Sequence, residues 1–256
     1  MVPANKKGQC VLFATANAID CISILSVDRG SQKYVYRTLQ NVLEAIPENI
    51  PINVYVGNEH TEYLQPATLR KYLPEQSIMR IHIIEFPPEE VCELSTLPLS
   101  ARARRNYARV LSDYNGTKGL LVLEDDIDLH SSILQDLSIL TSHIPTDAYI
   151  MTLYTGVRKD DTSEYTIQTC HHGFSCTQGM YYTANCTDTL GAFVRTCDQH
   201  YDLAIWEFCL QSSTPLYWVS PSLVQHEGLV STGLGGVHTA PSFRKHSSVQ
   251  TVRARL

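Results

Sequence analysis

Residues 120–129 read Leu-Leu-Val-Leu-Glu-Asp-Asp-Ile-Asp-Leu, an apolar run that ends in three consecutive carboxylates. Glu124, Asp125 and Asp126 repel one another and resist losing water unless a cation sits among them. Ligands of α/β domains bind at the carboxyl ends of the sheet strands, so the triplet is placed to form a divalent-metal platform at the mouth of a cleft. A hard cation held by one or two carboxylates, with water and substrate phosphate completing its shell, is the usual arrangement for magnesium or manganese in nucleotide chemistry. The plain alternative is a solvated acidic turn.

Such a platform needs a sheet behind it. Residues 21–27 form an apolar, β-rich run broken by Asp28-Arg29-Gly30-Ser31, and a helical pattern follows over 34–45. Residues 52–57 read as a second strand. Strand, helix, strand opens a βαβ unit, which predicts an α/β fold with a mostly parallel sheet and a nucleotide-sized crevice. A third strand is expected over 78–86, closed by Pro87-Pro88, and a helix over 100–113 with Ser100 as N-cap. Further expected elements are a strand at 119–123, helices near 131–142, 186–197 and 200–211, and strands at 148–154, 179–183 and 216–220. Residues 156–178 read as an irregular surface excursion. The residues beyond 236 read as a loosely ordered basic tail, leaving 1–236 as one domain.

Composition narrows the function classes. The formal net charge is −6 over 256 residues, so no dominating basic field points to nucleic acid as a partner. No stretch approaches the roughly 18–20 unbroken apolar residues of a membrane span, and residues 1–10 lack a signal-peptide pattern. As written, the expectation is a soluble chain, cytoplasmic if microbial or viral and lumenal (Golgi or ER) if a fragment of a eukaryotic enzyme. Eight cysteines, four of them between 170 and 197, show no diagnostic spacing. Asn115-Gly-Thr and Asn185-Cys-Thr match glycosylation sequons by pattern only.

Several segments together carry a resemblance. They are Ser-Ile-Leu-Ser-Val-Asp-Arg (23–29), Tyr-Arg-Thr-Leu (36–39), residues 102–106, Leu-Glu-Asp-Asp-Ile (123–127) and Pro-Ser-Leu-Val-Gln-His-Glu-Gly-Leu-Val-Ser (221–231). In order and spacing the chain resembles glycosyltransferase family 54, the N-acetylglucosaminyltransferase IV enzymes of N-glycan branching. It is also similar to the N-acetylgalactosamine transferase that modifies GPI anchors. The likeness covers residues 20–232, and Pro-Ser-Leu-x-Gln-His-x-Gly is its most specific part. It implies a GT-A fold, a UDP-sugar donor, a glycan or glycoconjugate acceptor, and Mn2+ or Mg2+ as cofactor.

By the same resemblance Asp126 and His226 are the metal ligands, Glu124 and Asp125 help hold the donor, and Asp28 and Arg29 contact its base or ribose. Arg102 and Arg105 have the guanidinium forks that neutralise phosphate, with Arg104 beside them, and Asn106 could hold a donor hydroxyl. Helical spacing sends these side chains to different faces. An inverting transferase needs a carboxylate to take the acceptor's proton. Asp202 aligns best with the family's base and Glu207 is the substitute, although acidic residues also favour first helical turns for electrostatic reasons. Gly179, in Gln-Gly-Met, is read as the glycine that lets backbone approach the donor sugar.

Other classes remain open. One is a non-catalytic nucleotide-sugar or carbohydrate-binding domain of the same fold. Another is a metal-dependent phosphotransferase or hydrolase, although no Gly-rich Lys-Ser/Thr phosphate loop and no Gly-x-Ser-x-Gly elbow occurs. A zinc module built from Cys170, His171, His172 and Cys176 lacks Cys-x-x-Cys pairs.

Overall fold

The computed structural model describes residues 17–30, 33–57, 60–156, 164–174, 177–228, 239–243 and 251–255. Strand β1 (Cys21–Ser26), helix α1 (Val35–Ala45) and strand β2 (Ile52–Val56) form the expected βαβ unit, paired in parallel from Ile22 with Ile52 to Ser26 with Val56. A 3-10 turn (Glu62–Leu64) and two single-turn helices, α2 (Pro66–Leu69) and α3 (Glu75–Ile78), lead to β3 (Ile81–Ile84). Helices α4 (Pro88–Thr96) and α5 (Leu99–Asp113) precede β4 (Gly119–Glu124) and the three-residue β5 (Ile127–Leu129). Next come α6 (Ile133–Thr141), β6 (Ile150–Thr152), β7 (Glu164–Thr169), β8 (Gly179–Thr183), α7 (Ala184–Thr196) and α8 (Tyr201–Ser212). Strands β9 (Leu216–Ser220), β10 (Val224–His226) and β11 (Thr251–Arg255) complete the order.

Nine strands form one mixed, mostly parallel sheet in the order β11-β7-β9-β6-β8-β4-β1-β2-β3, while β5 and β10 make a separate antiparallel ribbon. Helices cover both faces, as the sequence implied. Strand β4 shows why its run is apolar without alternation. Leu121 and Leu123 face a core with Val35, Leu39 and Val42 of α1 and Leu137 of α6. Leu120 and Val122 face a second core with Tyr107 and Leu111 of α5, Leu190 of α7 and Ile205 of α8. Each of these four strand residues is fully buried, and burial of such a side chain stabilises by about 1.5–3 kcal/mol. That anchorage offsets the cost, several kcal/mol per ion, of holding carboxylates out of water at the strand's end.

Four expectations change. The excursion over 156–178 contains β7, because Tyr165 and Ile167 alternate with partly exposed Glu164, Thr166 and Gln168, the pattern of a strand with one buried face. The third strand starts at Ile81, since Ile78 closes a helical turn. Ser100 is inside α5, whose N-cap is Pro98. Within the segment expected as a loose tail, Thr251–Arg255 pairs in parallel with β7 from Thr251 with Glu164 to Arg255 with Gln168. Among the described residues no helix is long and apolar enough to cross a membrane.

Candidate functional site

Strand β4 lies between β1 and β8, parallel to the first and antiparallel to the second, so its carboxyl end sits where the sheet changes direction. The acidic triplet divides where β4 ends at Glu124 and a turn carries Asp125 and Asp126. Glu124 turns toward α5 and α8, where its Oε1 accepts from the hydroxyls of Thr177 (3.3 Å) and Tyr201 (3.5 Å). Asp125 points back under β1: its Oδ2 accepts from the Ser26 hydroxyl (2.8 Å) and the Val27 N–H (3.1 Å). The Thr38 hydroxyl of α1 lies 2.9 Å from the Asp125 carbonyl and 3.0 Å from that of Ile127, fixing the turn between β4 and β5.

Asp126 is held by the ribbon. Glu227 N–H donates to its carbonyl at 2.7 Å, and the antiparallel pairing of His226 with Ile127 brings His226 Nε2 to 3.2 Å from Asp126 Oδ2. A Cβ on Gly228 would lie 2.1 Å from the same oxygen, so only glycine lets the chain pass here. Glu124, Asp126 and His226 each bring one ligand atom within 4.8 Å of the others. This is the set that sequence placed around the metal, with Glu124 joining Asp126 and His226.

Arg29 enters the cluster directly. Its Nη1 lies 2.8 Å from Asp125 Oδ1 and 3.1 Å from Asp126 Oδ2, with its side chain 8% exposed. The guanidinium carbon lies 5.5 Å from the centre of the Tyr34 ring. The Nη1 contact is an ion pair without hydrogen-bond alignment, and Arg29 Nε has no partner. Arg29 is therefore a counter-charge to the acids rather than a residue standing free at a strand tip. Asp28, by contrast, is turned locally: it accepts from the Gly30 N–H (2.8 Å) and from Lys33 Nζ. Partial burial works to raise its pKa, but the Lys33 and Gly30 contacts outweigh this and lower it.

Burial pushes the Glu124 carboxyl up to about 7; Asp126 and Asp125 add to the rise, and His226 and Arg29 oppose it. Burial likewise lifts Asp125 to about 6, against the pull of Arg29. Buried side-chain atoms ordinarily find partners, yet Asp126 Oδ1, Arg29 Nε, Asn106 Oδ1 and Gln178 Oε1 have none. The unpartnered Asp126 oxygen among hard oxygen and imidazole donors fits a divalent cation of the magnesium or manganese type.

The basic helix before β4 is tied to its neighbours in the fold. Arg102 donates to the carbonyls of Leu97 (2.9 Å) and Ser95 (2.7 Å), capping the end of α4. Arg105 pairs with Glu93 of α4 at 2.6 Å on the surface. Arg104 donates to the Gln199 carbonyl at 3.1 Å. Asn106 is buried and donates to the Tyr55 carbonyl (3.3 Å), tying α5 to the carboxyl end of β2. Gly179 pairs with Leu123 inside the sheet, and a Cβ there would sit 2.9 Å from both Val224 methyl carbons. Its glycine makes room for the β10 ribbon over β8.

Asp202 is buried in the first turn of α8, where its Oδ1 meets His200 Nδ1. Tyr201, beside it, reaches Glu124, so the start of α8 borders the acidic cluster. Glu207 faces away, held by Gln199 (2.6 Å) and Gln211 (2.9 Å). His200, Tyr201 and Thr177 carried no motif in sequence, since all three are brought in by tertiary contacts. Among the described residues, Cys170, His171 and His172 form no metal-ligand group, and Cys176 lies outside those residues.

The fold and site define an α/β domain with an acidic, histidine-flanked corner at the carboxyl ends of its central strands. No protein-family model matches the chain, and no curated protein matches it in sequence. Among solved structures it is similar to galactosyltransferase LgtC in complex with donor and acceptor sugar analogs, at 13% identity and a TM-score of 0.46 over 77% of this chain and 72% of that one. It is similar also to a nucleotidyl transferase from Methanothermobacter thermautotroptrophicus, at 13% identity and a TM-score of 0.41 over 78% of this chain and 87% of that one. Likeness at this level carries nothing about the site.

Proposed function

We propose that the chain is a metal-dependent glycosyltransferase of GT-A type that moves a hexose or N-acetylhexosamine from a UDP-sugar to a glycan or glycoconjugate hydroxyl, with inversion. The observation that carries the reading is the unpartnered Asp126 Oδ1 beside Glu124 and His226 at the end of the central strand. The family 54 resemblance of the segments at 23–29, 123–127 and 221–231 supports the donor class. Residues 1–236 are read as the transferase domain, with 251–255 added to its sheet edge.

Glu124, Asp126 and His226 would hold the cation. Bound there, Mn2+ or Mg2+ supplies positive charge to the diphosphate as its own charge grows, which favours the transition state over the ground state. Arg29, already paired with Asp125 and Asp126, adds a fixed positive charge at the same end of the cleft and holds the two carboxylates in place. Asn106 and Gln178, each with an unpartnered buried amide oxygen, accept from donor hydroxyls or the base. The start of α8, with Asp202, provides the proton acceptor.

A second reading has its own observation: Arg29 pairs with both Asp125 and Asp126, a charge balance that also suits a non-catalytic nucleotide-sugar-binding domain. Thermal shifts over a panel of nucleotide sugars, with manganese and with chelator, separate the two. A shift for one UDP-sugar that chelator abolishes, with turnover to acceptor, is expected. A shift that survives chelator, without turnover, overturns the transferase reading.

A further inference from the structure

A buried carboxylate beside a more exposed imidazole is a poor place for the carboxylate itself to take a proton. Asp202 is 4% exposed, and its Oδ1 is occupied by His200 Nδ1. An ionised carboxylate only accepts hydrogen bonds, so Nδ1 carries the proton and Nε2 is left with its lone pair. The His200 side chain is 23% exposed, so the ring reaches solvent while its partner does not. Its ring lies 4.3 Å from that of Tyr201, whose hydroxyl reaches Glu124.

We infer that His200, oriented through Nδ1 by Asp202, is the general base of the transfer. This rests on the transferase reading above and refines it: Asp202 becomes a positioning residue. The acceptor oxygen bonds the anomeric carbon while its proton passes to His200 Nε2. The bond from that carbon to the diphosphate oxygen breaks, and its electron pair leaves on the diphosphate. Water then takes the proton from the imidazolium.

The groups that bias the imidazole are few. Asp202 lies on its own helix, Tyr201 stacks beside it, and Tyr107 of α5 stacks on Tyr201 at 4.6 Å. Arg104 holds the preceding Gln199 carbonyl, Glu207 holds the Gln199 side chain, and Glu124 lies beyond the Tyr201 hydroxyl.

The test pairs kinetics with a spectroscopic readout. His200→Gln should lower kcat by roughly 10²–10⁴-fold, the usual worth of a positioned base, with donor KM and manganese binding unchanged. In His200→Ala, added imidazole should restore part of the loss. Asp202→Asn should lower kcat and shift the pH profile. In the 15N spectrum of the wild type, the neutral His200 ring should carry its proton on Nδ1, and Asp202→Asn should remove that preference. A His200→Gln enzyme with near wild-type kcat, or a wild-type imidazole protonated at Nε2, overturns the assignment and returns the role to Asp202. The transferase reading fails by a different sign: wild-type protein that neither binds a UDP-sugar with manganese nor transfers sugar.

Discussion

Two buried carboxylate–histidine pairs stand at opposite ends of the three-residue strand β5, and they differ in one respect. Just after the strand, His130 Nδ1 lies 2.8 Å from Asp136 Oδ2, and the Ser132 hydroxyl donates to the same oxygen at 2.7 Å. Tyr165 of β7 adds a further hydrogen bond to Asp136. Just before the strand, His226 approaches Asp126 at 3.2 Å, but Asp126 Oδ1 has no partner. The first pair is closed by its own protein and ties α6 to the sheet; the second is left with unsatisfied valence in a cluster of like charges. Burial and residue type are shared, so they do not mark function. What separates the two pairs is the unpartnered Asp126 oxygen within a cluster of carboxylates.

The widest separation comes from one substitution at each end. Asp126→Asn should lower sugar transfer by about 10³-fold, the loss expected when a charge-stabilising group is removed from a closed site, while the thermal midpoint stays level or rises as like-charge repulsion falls. Asp136→Ala should do the reverse. Breaking one partner of a buried pair costs about 3–5 kcal/mol, read as a lower urea midpoint, with manganese affinity of the folded fraction unchanged. If Asp136→Ala abolishes manganese binding at native stability, the two ends are one functional unit and the contrast is lost.

Acidity sharpens the same comparison. Glu124 is raised to about 7 and Asp125 to about 6, in both cases first by burial. A carboxyl whose folded pKa lies above its unfolded value adds stability that is complete below the unfolded value and disappears as pH climbs through the folded one. Metal-free protein should therefore lose stability between about pH 4 and pH 7. At about 1.4 kcal/mol per unit, the two shifts act in the same direction and the fall is several kcal/mol. Manganese should reverse it above pH 7. Urea midpoints across that range in chelator check the sign, and a midpoint that climbs with pH contradicts it.

Where the sequence carried this information, the reason is local. Strands β1, β2, β4, β8 and β9 are apolar runs long enough to announce themselves, and the acidic triplet must follow β4 at whatever depth the sheet sets. Strands β5 and β10 are three residues each, too short for a period, and they decide where His226 and Asp126 meet. Strand β7 hid because its exposed face is polar and its partners come from residues 216–220 and 251–255. His200 carried no signal, since its importance lies in a contact with buried Asp202. Gly179 was legible as a close approach, and the atoms it admits in the fold are those of Val224.

The basic helix gives the smallest expected effect and the sharpest check on reading charge from sequence. Arg102, Arg104 and Arg105 were placed against phosphate because they precede the acidic strand, yet each is engaged by α4 or by the turn before α8. Arg105 and Glu93 form an exposed ion pair that solvent screens, so it contributes little to stability. Arg105→Ala should therefore move the urea midpoint only slightly and leave UDP-sugar affinity within about twofold, with the salt dependence of binding unaltered. Arg29→Ala, which removes the only cation in direct contact with Asp125 and Asp126 among the described residues, is the control. A tenfold loss of donor affinity in Arg105→Ala with none in Arg29→Ala would move the phosphate contact back to the helix, against the geometry of its hydrogen bonds.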